Sequence, residues 1–253
     1  MSALRLAELI TSRQPTVVLT GAGISTESGI PDFRSPTGIW AEVDPMEYAS
    51  LRAFRADPEK VWSFYAKRVD MLIGAEPNEG HRAIAELEQR GLVKAVITQN
   101  IDLLHSRAGS EDVVEVHGSI RTASCLDCGS VYPLAAPGKK VDTVGGAPRF
   151  AGVPCCECGA VLKPDVVFFG ELLPRAELDR AYELARSAAL MLVVGSALEV
   201  FPVAELPLET LRSGGSLAIV NRGETPLDAR AELKIDGSAG ETLSAVLAAV
   251  TDD

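Results

Sequence analysis

Five short runs constrain this chain more than any other feature: "TVVLT" (16–20), "KAVIT" (94–98), "DVVEV" (112–116), "LMLVVG" (190–195) and "LAIV" (217–220). They are dense in Val, Leu and Ile and do not alternate with polar residues. A strand with one wet face alternates, so these strands are expected to be buried on both faces, as in a parallel sheet. Parallel neighbours need long crossovers, usually helices. The stretches between supply them. "HRAIAELEQRG" (81–91) puts Ile84 and Leu87 on one helical face and stops at Gly91. "RAELDRAYELARSA" (175–188) and "VAELPLETLRSGG" (203–215) read the same way. The alternation predicts an α/β fold, an open parallel sheet with helices on both faces.

Two stretches break the rhythm. Residues 35–80 hold no strand pattern, and "DPEKVWSFYAKRVDML" (57–72) reads as a helix opening at Asp-Pro. Residues 119–162 carry all five cysteines around a Gly/Pro-rich middle. Both are read as insertions that form a smaller domain. The main domain then comprises residues 1–34, 81–118 and 163–253, joined by a helical module (35–80) and a cysteine module (119–162). A chain of 253 residues is long enough for that plan.

The formal net charge of -11 weighs against binding nucleic acid or an anionic membrane, and leaves a basic, lysine-bearing partner open. No apolar run reaches the roughly 18 residues of a membrane span. The first residues are amphipathic and reach Glu8 too soon for a signal-peptide core, so an ordinary first helix is expected. Cysteines in two tight groups, rather than scattered pairs, point to a reducing cytoplasm.

The chemistry concentrates at strand ends. After "TVVLT" comes "GAGISTESGIPDFRS", with Gly21 and Gly23 where a dinucleotide-binding loop brings backbone to a pyrophosphate. The third glycine of that motif is missing, because Thr26 stands there, and no acidic residue ends a second strand about 20 residues on. The glycines alone also read as a tight turn. Phe33 and Arg34 are odd as core residues and fit a clamp over a ligand. After "KAVIT", the residues Gln99, Asn100 and Asp102 suit a ribose or a carboxamide, or else cap a helix. Of three histidines, His117 ends a strand and is the candidate general base, while His81 and His105 are read as structural. Gly195, Ser196 and Asn221 end two more strands and are read either as ligand contacts or as turns.

"CLDC" (125–128) and "CCEC" (155–158) offer thiolates for a tetrahedral zinc. The C-x-x-C spacing selects Cys125, Cys128, Cys155 and Cys158 and leaves Cys156 spare, with a swap to Cys156 as the alternative. An all-cysteine set suggests a closed, structural site.

With these residues gathered, the chain resembles the sirtuin family of NAD-dependent protein-lysine deacylases. The matching stretches are "GAGISTESGIPDFR", "TQNIDLLHSRAG", "VHGS", the cysteine pairs, "VVFFGE" (166–171), "VGSALEVFPVAELP" and "VNRGETPLD", in family order over residues 17–236. The resemblance implies a Rossmann-like large domain, a small domain with one structural zinc, and NAD consumed as a co-substrate. It implies that Ala22, Thr26, Phe33 and Arg34 line the cofactor loop; that Gln99, Asn100, Ile101 and Asp102 hold the nicotinamide ribose and carboxamide; and that Ser196 and Asn221 meet the adenosine half. It implies that Val166, Val167, Phe168 and Phe169 pair with the substrate peptide as an added strand. The implied reaction begins when the acyl-lysine carbonyl oxygen attacks C1′ of the nicotinamide ribose. His117 then deprotonates a ribose hydroxyl, and free lysine, nicotinamide and O-acyl-ADP-ribose result. An acyl-lysine protein or peptide is the expected partner and a monomer the expected state.

Tyr65 and Arg68 have the Y-x-x-R spacing of sirtuins that remove succinyl or malonyl groups, and that spacing puts both on one helix face. The alternative is a solvated Arg68 paired with an acid such as Glu59. Two other functions compete: an NAD-dependent mono-ADP-ribosyltransferase on the same scaffold, and a non-catalytic module that senses NAD or acyl-lysine.

Overall fold

The computed structural model describes residues 2–33, 35–36, 38–134, 149–150 and 153–251. Six strands form a parallel sheet: β1 (Thr16–Thr20), β2 (Ala95–Thr98), β3 (Val113–Glu115), β9 (Leu190–Val194), β10 (Ser216–Val220) and β11 (Leu233–Ile235). Their order is β11-β10-β9-β1-β2-β3. The register pairs Val18 with Val96 on one side and with Leu192 on the other.

The unbroken apolar runs have a direct cause. Val18, Leu192 and Val194 face helices α1 (Ser2–Ser12), α5 (Glu79–Gln89) and α9 (Ala239–Thr251), whereas Val17, Leu19, Met191 and Val193 face α7 (Arg175–Ser187) and α8 (Leu206–Arg212). Both faces are covered, so every position of β1 and β9 is buried. Each such Val or Leu contributes about 1.5–3 kcal/mol by leaving water.

The helical insertion consists of α2 (Pro45–Tyr48), α3 (Leu51–Ala56) and α4 (Pro58–Gly74). Its starts are encoded locally: Asp44, Ser50 and Asp57 each accept a backbone N–H of the first turn. Helix α6 (Leu104–Ala108) follows β2. The cysteine insertion holds β4 (Gly118–Cys125), β5 (Val131–Pro133), β6 (Arg149–Phe150), β7 (Val153–Pro154) and β8 (Leu162–Val166). Strands β5, β4 and β8 make an antiparallel sheet and β6 pairs with β7. The boundary at 80/81 falls within the first turn of α5, that at 118/119 at the first residue of β4, and that at 162/163 inside β8, whose pairing with β4 puts Lys163–Val166 with the cysteine module. One core, including Phe54, Trp62, Tyr65, Ile120, Leu162 and Phe168, unites both insertions. Within it the Trp62 indole donates to the Leu162 carbonyl at 2.7 Å.

Candidate functional site

The sheet reverses its order at β1, with β2 and β3 on one side and β9 to β11 on the other. Ligands bind outside the carboxyl ends of strands at such a reversal. The loops after β1, β2, β9 and β10 meet there.

The glycines act differently from the sequence expectation. The N–H groups of Gly21 and Gly23 donate to Val194 O (3.1 Å) and Gly195 O (2.8 Å). They are committed to the neighbouring loop and are not offered to a phosphate. A Cβ on Gly21 or Gly23 would come within 2.8 Å of Gly195 backbone, and one on Gly195, whose φ is +61°, within 2.3 Å of the Ile24 nitrogen. All three are small because two backbones touch at the crossover. The next seven residues, Ala22–Ser28, form a 3-10 helix. Thr26 bonds back to Gly23 O at 2.9 Å. Arg34 lies outside the described residues. Phe33 stacks on Trp40 at 5.3 Å.

Behind this loop lies a buried polar network. The Ser25 hydroxyl donates to Asp102 (2.7 Å) and accepts from the Asn100 amide (3.1 Å), which also reaches Gly21 O (3.1 Å). His81 Nδ1 accepts the Asn78 N–H, so its Nε2 carries the proton toward Ser25 at 3.4 Å. His105 binds Thr20 at 2.9 Å, and its ring meets that of His81 at 4.9 Å. Burial, then the Arg82 charge, pushes His81 down to about 4, against an opposing pull from Glu27. Burial, then His81, also lowers His105. Burial raises the Asp102 carboxyl, opposed by hydrogen bonds from the Leu104 N–H and the Ser25 hydroxyl. Leu103, next to Asp102, adopts φ +65° and is itself buried. Such a conformation costs on the order of 1–2 kcal/mol and turns the chain sharply after Asp102.

His117 sits at the mouth. Its Nδ1 faces the Gln99 carbonyl at 3.1 Å. A carbonyl only accepts, so Nδ1 carries the proton and Nε2 is the basic nitrogen. The Gln99 side chain donates to Ser196 Oγ at 2.8 Å, tying the β2 loop to the β9 loop. The Ile101 carbonyl accepts from Ile120 N at 3.3 Å, which tethers the β2 loop to β4. Asn221 turns its amide onto Arg222 O at 2.9 Å, and Lys234 from the edge strand bonds Asn221 O at 3.0 Å.

Beside this cleft, Tyr65 stacks on Phe168 at 5.1 Å. The Arg68 guanidinium lies 5.6 Å from the Phe33 ring and 4.9 Å from the Phe64 ring. Among the described residues no carboxylate pairs with it, so the expected alternative partner Glu59 is not used. The segment Val166–Phe169 is less open than an added strand requires. Val166 pairs with Gly118, Val167 N–H donates to His117 O (2.9 Å), and Phe168 is 1% exposed. Phe169 bonds Ala49 and Leu51 through both of its backbone groups. Among the described residues the Val167 carbonyl remains without a donor.

The thiols correct the sequence assignment. The Sγ atoms of Cys125, Cys128, Cys156 and Cys158 lie within 4.8 Å of one another. Cys155 is not among them, because its thiol faces Val153 O at 3.5 Å. Cys155 forms an extended bridge to Val161, so the side chain of the next residue points the other way. A turn then closes from Cys156 to Gly159, held by Cys156 N to Ala160 O (2.7 Å) and Gly159 N to Cys156 O (2.9 Å). Four converging sulfurs are the donor set zinc takes in closed structural sites. The Tyr132 hydroxyl, unmarked in the sequence, lies 3.5 Å from Cys156 Sγ.

Nothing in local spacing singles out Ser25, Asn78, Lys163, Glu171, Trp40 or Phe64. No local spacing sets Ser25 apart from Thr26; only its convergence with Asp102 does.

A parallel sheet with a polar crossover cleft, joined to a four-thiol module, defines a dinucleotide-binding α/β protein with a structural metal module. The Sir2 family model matches residues 21–202. The chain is 42% identical over 240 residues to NAD-dependent protein deacylase 1 of Archaeoglobus fulgidus, covering 94% of each. It is 44% identical to the NAD-dependent protein deacetylase of Caldivirga maquilingensis, over 96% of this chain and 91% of that one. A solved Sir2 complex with a p53 peptide and NAD+ superposes with a TM-score of 0.88, at 41% identity and covering 100% of both chains. The chain belongs to the Sir2 family.

Proposed function

We propose that this chain is an NAD-dependent protein-lysine deacylase that transfers the acyl group to ADP-ribose and releases nicotinamide. The carrying observation is His117, whose Nδ1–H is held on the Gln99 carbonyl at 3.1 Å beside the Asn100–Ser25–Asp102 network. That anchor leaves Nε2 as the nitrogen that takes a proton from a ribose hydroxyl, activating it toward the acyl carbon. NAD supplies the electrophilic ribose carbon and the leaving nicotinamide. Asn100 and Asp102, nearly enclosed and held by Ser25, orient polar groups of the nicotinamide ribose and carboxamide. Phe33 and Trp40 form an aromatic cover that excludes water from the reacting carbon. The Val167 carbonyl is the acceptor for the substrate lysine or its backbone. The four thiolates of Cys125, Cys128, Cys156 and Cys158 would hold a zinc that fixes the small domain. The domain division at 34/35, 80/81, 118/119 and 162/163, with the last boundary moved past β8, action as a monomer and a cytoplasmic location belong to the same reading; no described helix is long and apolar enough to cross a membrane.

One observation favours a wider acyl range. Burial lowers the Arg68 guanidinium against the pull of Tyr65, and two aromatic rings face it without a carboxylate. A desolvated fork of this kind suits the distal carboxylate of a succinyl or malonyl group. The test incubates the protein with acetyl-, propionyl- and succinyl-lysine peptides, with and without NAD, and follows peptide mass and nicotinamide release. NAD-dependent loss of acyl mass with stoichiometric nicotinamide is expected. Unchanged peptide mass defeats the reading, and a gain of ADP-ribose mass makes the protein a transferase to protein.

A further inference from the structure

Lys163 is 6% exposed, which is rare for an ammonium group unless it is fully paired. Its Nζ donates to Pro164 O at 2.9 Å and to Val166 O at 2.8 Å, and pairs with Glu171 Oε2 at 3.0 Å. The same carboxylate oxygen accepts the Phe168 N–H at 2.7 Å. Glu171 N–H returns to Phe168 O at 3.0 Å across a turn in which Gly170 takes φ +87°. The ammonium also sits 4.2 Å from the centre of the Phe168 ring, and that ring stacks on Tyr65. Every one of these partners lies in residues 164–171 or stacks on them. One buried cation thus sets both the loop that carries the Val167 carbonyl and the aromatic pair beside Arg68.

We propose that Lys163 is a positioning residue for the acyl-lysine substrate, acting through Glu171 and Phe168. The proposal rests on the deacylase reading. It separates the two substrates: among the described residues no Lys163 contact reaches the loops after β1, β2, β9 or β10, so the NAD side is expected to be insensitive to it.

Lys163→Met keeps the aliphatic stem and removes the charge and its donors. The expected result is a rise in the KM for an acetyl-lysine peptide on the order of tenfold, with kcat changed less than about threefold. The Kd for NAD, measured by calorimetry, stays unchanged. Lys163→Arg restores the KM to within about threefold, because it keeps the charge and the donors. Glu171→Gln moves the KM in the same direction, and adding it to Lys163→Met costs little more, as expected for one coupled pair. An unchanged peptide KM in folded Lys163→Met overturns the proposal, as does equal weakening toward peptide and NAD. Should Lys163→Met not fold by circular dichroism, Glu171→Gln is judged by the same criteria, and Lys163→Arg is still expected to keep the KM within about threefold of the unmodified protein. Inactivity of the unmodified protein toward every acyl peptide is a failure of the deacylase reading instead. The positioning claim is then judged by fluorescence anisotropy of a labelled acetyl-lysine peptide, where equal Kd values for the unmodified protein and Lys163→Met refute it.

Discussion

Replacing Cys156 with alanine tests the metal module at the one position where spacing and tertiary structure disagree. A tetrahedral zinc with bonds of about 2.3 Å holds its sulfurs about 3.8 Å apart. In this chain Cys125 and Cys158 are 3.5 Å apart and Cys128 and Cys156 3.4 Å, already near that geometry. Structural zinc in small modules binds with about 10–16 kcal/mol. Shared among four thiolates, that is about 2.5–4 kcal/mol each, or about two to three decades of affinity. Cys156→Ala is therefore expected to lose zinc to a chromophoric chelator at about a hundredfold lower chelator concentration than the unmodified protein does. Cys155→Ala removes a buried thiol that points at Val153 O, so it costs on the order of 1 kcal/mol of stability and keeps one zinc per chain. The assay is elemental analysis of reduced protein together with chelator competition. Loss of zinc from Cys155→Ala with retention by Cys156→Ala refutes the reasoning.

Four further outcomes are expected. His117→Ala lowers acyl-peptide turnover by about 10²–10⁴-fold with NAD binding retained, read by nicotinamide release and calorimetry; unimpaired turnover removes His117 from the base role. Arg68→Met lowers desuccinylation at least about tenfold more than deacetylation, whereas an equal loss of both sinks the carboxylate assignment. Gly195→Ala drives a Cβ to 2.3 Å from the Ile24 nitrogen, so on the order of 2–4 kcal/mol of stability and NAD affinity fall together, followed by denaturant midpoint and calorimetry. Acidification removes a stabilisation at His81, which stays neutral in the folded chain down to about 4 while the unfolded chain takes up its proton near 6.5, and the raised Asp102 carboxyl acts in the opposite direction. Stability present above pH 6.5 is thus lost as pH falls toward 4, by about 3 kcal/mol from this residue, with His105 acting in the same direction. Urea midpoints from pH 7.5 to 4.5 read this out, and an identical pH slope in His81→Gln contradicts it.

The parts of this fold legible in the sequence are those governed by neighbours along the chain. The continuous runs of β1 and β9 announce burial on both faces, and Asp57 marks a helix start by accepting the N–H three residues on. The edge strand β11 escaped that reading because its three half-buried residues, with Lys234 among them, carry no apolar signature. Strand-end polarity likewise marked Asn100, Asp102 and His117, since a polar residue closing a buried strand must find a partner.

The sequence by itself determined which residue types stand at each strand end and that thiols come in two groups. Tertiary structure alone decided what they do. Gly21 and Gly23 are small because the Gly195 backbone presses on them, not because a phosphate needs their amides. Cys156 takes the place expected of Cys155 because the extended bridge to Val161 turns the two neighbouring thiols to opposite sides, one onto Val153 O and one into the thiol cluster. Ser25, Lys163 and Glu171 acquire their partners across the fold or a tight turn. Spacing reports distance along a chain, whereas a site is defined by atoms within about 3 Å in space, and only packing brings those together.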